Sequence, residues 1–175
     1  METSKVFIIT GRQGEGKTTF LTSVLTELSL GGIKAAGFCA DGQWRDNLRT
    51  KFEIVDINGT GRRLLCCDEA VKGFEKVGRF YFNPKTIQWG EDFLSTAKDN
   101  EQRIYVMDEI GKFELAQKVW YNAFHKLLTE KYPVLFTVRK EILEQVIEYF
   151  HIFEPIIFGL DDTQKKVAQT IAVQL

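Results

Sequence analysis

The sequence predicts an α/β protein: a three-layer arrangement in which helices cover both faces of a mainly parallel sheet, with one inserted β-hairpin. Short apolar runs unbroken by polar residues recur along the chain, as in strands buried on both faces. Segments with apolar residues at helical spacing alternate with these runs, the order that builds a parallel sheet between helices. The length of 175 residues suits one domain, 1–175, with a sizeable core.

The elements follow in order. Residues 6–9 are all apolar and end before Gly11, giving the first strand; Phe20, Leu21, Val24, Leu25 and Leu28 then mark a helix over 19–30, stopped by Gly31 and Gly32. Residues 34–40 read as a strand. Residues 52–57 and 64–67 flank Asn58, Gly59, Thr60 and Gly61 and read as the hairpin. A strand at 79–82 precedes Asn83 and Pro84, an N-cap and a proline in the first turn of a helix reaching Ala97. Residues 104–107 form a buried strand. One amphipathic helix is expected to carry Leu115, Val119, Ala123, Phe124, Leu127 and Leu128 on one side. The rest reads as strand 134–138, helix 142–150, strand 156–158 and helix 163–172, the last capped by Asp161 or Asp162.

Composition excludes several classes. With 23 basic and 24 acidic residues and a net charge of -1, the chain lacks the basic excess of a general nucleic-acid or anionic-lipid binder. No apolar run approaches the ~20 residues of a membrane span and no signal-peptide core is present, so a cytoplasmic location is expected. Cys39, Cys66 and Cys67 lack metal-ligand spacing and read as reduced, buried thiols in strands. His125 and His151 read as structural. Trp44, Trp89 and Trp120 read as packing residues with the capacity to stack on a base.

The chemistry concentrates in two motifs. Gly11, Gly16, Lys17 and Thr18 satisfy the spacing G-x-x-x-x-G-K-[ST] between a strand and a helix. Such a loop curls so that the N–H groups of Gly14, Glu15, Gly16, Lys17, Thr18 and Thr19 converge on phosphate oxygens at a helix N-terminus. Lys17 is expected on the β- and γ-phosphates and Thr18 on Mg²⁺. Arg12 and Gln13 are open loop positions available to the nucleotide, and the Glu15 side chain is expected to face solvent. The second motif is the apolar strand ending in Asp108 and Glu109. Asp108 is the expected metal-side carboxylate, shared with Thr18, and Glu109 the group that orients and polarises a water for attack on the γ-phosphorus. The catalytic pair is thus Glu109 and Lys17. Arg79 and Arg139 are candidate sources of positive charge for the transition state, as well as ordinary surface arginines. No guanine-reading Asn-Lys-x-Asp segment occurs, leaving base preference open.

The segments "TGRQGEGKTT", "KVGRFYFNP" and "MDEIGKFEL" together resemble the small P-loop nucleoside-triphosphatases of the thermophilic-bacterial and human cancer-related type. The resemblance runs from Lys5 to about Val138. It implies a Rossmann-like P-loop fold of the additional-strand, catalytic-glutamate class, Mg²⁺ dependence, and slow hydrolysis of several nucleoside triphosphates. It also gives Glu114 a supporting acidic role. The chain departs from the family pattern at Gln13, where proline is common, at Phe113, where methionine is usual, and at Ala40 and Gly42 within the divergent 38–53 segment. Two other readings accompany hydrolysis. One is a P-loop kinase whose acceptor site or lid uses Arg45, Arg49, Arg62, Arg63 and Arg79; the other is a nucleotide-gated binding module whose protein partner the sequence leaves unknown.

Overall fold

The structure, a computed structural model, describes residues 5–59, 61–95 and 103–175. In chain order the elements are β1 (Val6–Gly11), α1 (Lys17–Leu30), β2 (Lys34–Arg45), β3 (Leu48–Asp56), β4 (Arg62–Cys67), β5 (Glu75–Val77), β6 (Phe80–Phe82), α2 (Pro84–Ser95) and β7 (Arg103–Ile110). There follow α3 (Lys112–Leu115), α4 (Tyr121–Thr129), β8 (Val134–Arg139), a 3₁₀ turn (Lys140–Ile142), α5 (Leu143–Tyr149), β9 (Ile156–Phe158) and α6 (Gln164–Gln174).

Among the described residues the strands form one sheet in the order β5-β6-β4-β3-β2-β7-β8-β1-β9. The expected mainly parallel sheet is corrected to a mixed one. Strands β2, β7, β8, β1 and β9 pair in parallel, whereas β2-β3, β3-β4, β4-β6 and β5-β6 pair antiparallel. The hairpin expected at 52–67 exists as the β3–β4 pair, but it continues the main sheet rather than interrupting a parallel one. The cause lies one turn earlier. Asp46 and Asn47 both take positive φ, 51° and 62°, which suits a tight primed turn, so β2 doubles back into β3 instead of feeding a helix. Thr60, within the expected β3–β4 turn, lies outside the described residues, as does Ala97 at the expected end of α2.

Helices cover both faces. Phe20, Leu21, Val24 and Leu28 of α1 join Val167 and Ile171 of α6 against Phe7, Ile9, Val106 and Leu135. On the other face, Leu94, Phe124, Leu127 and Val146 pack with Ile8, Phe38, Tyr105 and Phe136. Asn83 caps α2 as expected, its side-chain oxygen accepting from the Lys85 N–H at 3.1 Å. The helix expected to carry both Leu115 and Leu128 is instead two helices, α3 and α4, because Gln117 and Val119 between them adopt φ of 57° and 53°. The last helix is capped by Thr163, not by Asp161 or Asp162; its hydroxyl accepts from the Lys166 N–H at 3.3 Å. All three cysteines are buried and free, as expected.

One glycine holds the two halves of the sheet in contact. Gly37 has φ of 138°, and a Cβ there would lie 1.9 Å from the backbone oxygen of Val106 on β7. Backbone cannot yield as a side-chain tip can. Gly37→Ala is therefore expected to cost about 3–5 kcal/mol of unfolding free energy; a urea melt showing a loss under 1 kcal/mol would contradict this close approach.

Candidate active site

The loop after β1 and the end of β7 meet across β8, which lies between them in the sheet. This is the additional strand that the resemblance implied. Gly16, with φ of 96°, turns the chain into α1, whose first turn has no side-chain cap and so leaves its amides to whatever the loop binds. Lys17 is buried, its ammonium donating to the Arg12 carbonyl at 2.9 Å. The exposed Glu15 turns its carboxylate back to accept from the Arg12 N–H at 2.6 Å. The Thr18 hydroxyl donates to Asp108 Oδ2 at 2.8 Å, bringing the two expected metal-side groups together. Two oxygen donors of this kind fit a hard divalent cation.

The acid pair is shaped by a bulge. Met107 pairs with Phe136 and Ile110 with Val138, so Asp108 and Glu109 together stand opposite the single residue Thr137. Glu109 takes a φ of 64°, a conformation that a non-glycine residue adopts at a cost and that concentrates at functional sites. The bulge gives the neighbours different surroundings. Asp108 is buried, accepting from Thr18, from the Ala40 N–H at 3.0 Å and from the Thr137 hydroxyl. Burial, then the charge of Glu109, pushes its carboxyl up to about 6, against the lowering effect of those hydrogen bonds. Glu109 is half-buried and lines a cavity of about 420 Å³ with Asp108, Gln13 and Arg139.

A family model described as NTPase matches residues 6–169. The chain belongs to that family. Among curated NTPase relatives, the nucleoside-triphosphatase THEP1 of Caldivirga maquilingensis is 31% identical over 107 residues, covering 61% of this chain and 59% of that relative. The THEP1 of Natranaerobius thermophilus is 26% identical and covers 99% of both chains. The solved structure of a human cancer-related nucleoside triphosphatase superposes with a TM-score of 0.70 at 23% identity, covering 98% of this chain and 97% of that one, and shows the shared P-loop fold.

Sequence reading missed one residue of this NTPase site. Thr137 is fully buried, its hydroxyl donating a hydrogen bond to Asp108 and accepting from the Glu109 N–H at 2.8 Å, so one hydroxyl spans the bulge. Its signal was a polar residue inside the apolar run of β8. The side chain of Gln13, expected as an open loop position, accepts from Arg139 at 3.3 Å, which places that arginine against the loop. Arg79 instead donates to the Arg49 carbonyl and lines the same cavity. His125 and His151 are exposed and line no part of the cavity.

Glu114 has a structural part that the resemblance alone left unspecified. Its carboxylate accepts from the Gly111 N–H at 2.8 Å and the Trp120 N–H at 3.3 Å, tying together the two ends of the segment that follows the bulge. Burial first, opposed by those bonds, pushes its carboxyl up to about 7 from an ordinary 4.5. The folded state therefore binds the proton more tightly than the unfolded chain, and stability is expected to fall as pH rises from about 4.5 to 7, by at most ~1.4 kcal/mol per pH unit for this group. Asp108 acts in the same direction at lower pH, between 3.8 and about 6. Urea melts from pH 6 to 7.5 cover the Glu114 transition and the upper end of that of Asp108, and Glu114→Gln is expected to flatten the slope by the Glu114 share. An equal slope in the variant would contradict it.

Proposed function

We propose that this NTPase-family chain hydrolyses nucleoside triphosphates to nucleoside diphosphate and phosphate with Mg²⁺ as the divalent cation. The observation that carries the reading is the bulge, which sets the half-buried Glu109 beside the buried, hydrogen-bonded Asp108, both near the phosphate loop. The loop amides and the α1 N-terminus take the phosphate oxygens. Lys17 leaves the Arg12 carbonyl to pair with β- and γ-phosphate oxygens, while Arg12, Gln13 and Arg139 border the terminal phosphate. Glu109 accepts a hydrogen bond from the attacking water and draws off its proton as the new P–O bond forms and the β–γ bridging oxygen leaves with the diphosphate. Asp108, its oxygens held by Thr18, Thr137 and the Ala40 amide, keeps the metal side rigid. When bound, the cation would offset phosphate charge, and the Thr18 hydroxyl and Asp108 are the groups that would hold it.

A cytoplasmic setting fits the three free thiols. No helix among the described residues is long and apolar enough to cross a membrane. The test is phosphate release from ATP, GTP, CTP and UTP with Mg²⁺ and after chelation. Release from more than one triphosphate, lost with EDTA and restored by Mg²⁺, is expected. Transfer to added nucleosides or nucleoside monophosphates outrunning phosphate release would overturn water as the acceptor.

A further inference from the structure

The cavity beside Glu109 extends beyond anything the hydrolytic reading uses. Its far wall is aromatic: Phe52, Phe80, Phe82 and Phe113 line it, and Phe113 meets Phe80 and Phe82 edge to face with centroids 6.3 and 5.0 Å apart. Phe113, one of the departures from the family pattern, completes this ring cluster. The rim is cationic. Of the arginines grouped in the sequence as a possible acceptor site, Arg62 is paired with Asp41 and Glu53, Arg45 with Asp68 and Glu69, and Arg63 lies over Trp89. Arg49 and Arg79 make no ion pair among the described residues, and both line the cavity.

Their placement is built. The Arg49 guanidinium lies 4.7 Å from the Trp44 ring centroid and 5.2 Å from that of Phe52, and its Nε is buried with no hydrogen-bond partner. A buried donor left unbonded costs about 1–3 kcal/mol, which a bound acceptor would recover. Gly42 makes room for this guanidinium, since a Cβ there would fall 1.7 Å from Nη1. Arg79 stacks on Phe80 at 4.2 Å and anchors to the Arg49 carbonyl. Of the cavity's acids, Asp108 and Glu114 have both oxygens engaged by protein donors and Glu109 stands at the bulge, and none of the three forms an ion pair with Arg49 or Arg79 among the described residues.

We propose that this cavity, which adjoins the phosphate loop at Gln13, is a second ligand site for a small organic anion with a flat aromatic body: the ring enters the Phe52–Phe80–Phe82–Phe113 pocket and the anionic group meets Arg49 and Arg79. Aromatic rings prefer edge and offset contacts of this kind, and guanidinium takes both carboxylate and phosphate. The volume of about 420 Å³ falls within the range of small-molecule sites.

Isothermal titration of the full chain with 2-naphthoate, phenyl phosphate and the neutral 2-naphthylmethanol tests this, with and without saturating ADP. At least one anion is expected to bind at least tenfold more tightly than the neutral probe, and the tighter of the two identifies carboxylate or phosphate as the natural headgroup. Arg49→Gln is expected to weaken that binding at least tenfold, and Gly42→Ala, which displaces the same guanidinium without deleting it, to weaken it as well. Circular dichroism confirms that each variant is folded. Saturating ADP should leave the anion's affinity within threefold. Equal binding of the neutral probe, unchanged affinity in both folded variants, or competitive displacement by ADP would overturn the site.

Discussion

Glu109→Gln is expected to lower kcat for triphosphate hydrolysis by about 10²–10⁴ while leaving nucleotide affinity within a few-fold, the range a positioned general base contributes. The substitution keeps shape and the backbone bond to Thr137, which uses the Glu109 amide and not its side chain. It removes only the group that can take a proton. The effect should therefore fall on the chemical step and not on substrate binding, and single-turnover phosphate release beside a nucleotide titration separates the two. Hydrolysis at the wild-type rate in a folded Gln variant would remove Glu109 from the reaction and return the acid pair to a structural role around the bulge.

Lys17→Ala carries the second large effect, on binding. The ammonium is buried against the loop, held by the Arg12 carbonyl, so it is already in place beside the loop amides. Hydrogen bonds to charged partners are worth about 1.5–3 kcal/mol each, and two of them to phosphate oxygens amount to roughly 10²-fold or more in Kd. The cost should grow with phosphate number, being larger for ATP than for AMP. Calorimetric titration with the two nucleotides reads that difference directly, and equal losses for both would place Lys17 away from the β- and γ-phosphates. The fold should survive, because the change deletes a buried charge and the carbonyl it leaves lies in an exposed loop.

The local elements were legible because their signals are local. The apolar runs of β1 and β7, the glycines before α1 and the Asn83 cap each depend on neighbours a few residues away. The errors arose where φ decides the path. Positive φ at Asp46 and Asn47 turned β2 back on itself, and at Gln117 and Val119 it split an apparently continuous amphipathic helix. Gln117 and Val119 carry ordinary side chains, so nothing at their positions announces a left-handed conformation as a glycine would, whereas Asp46 and Asn47 are the non-glycine types that enter it most readily. The arginines behaved likewise. Five of them look equivalent along the chain, and only the strand pairing shows that Arg62 and Arg45 are consumed by carboxylates while Arg49 and Arg79 face a cavity.

By itself the sequence determined that a phosphate loop joins a buried strand to a helix and that an acid pair closes a second buried strand. Both follow from residue type and spacing over about ten positions, because loop curvature and strand burial are short-range properties. Tertiary structure decided what separates the two acids. Strand β8 enters between β1 and β7, its single Thr137 stands opposite both Asp108 and Glu109, and the resulting bulge buries one carboxylate and turns the other to the cavity. That division depends on register between residues some thirty positions apart, which side-chain patterning along either strand does not encode.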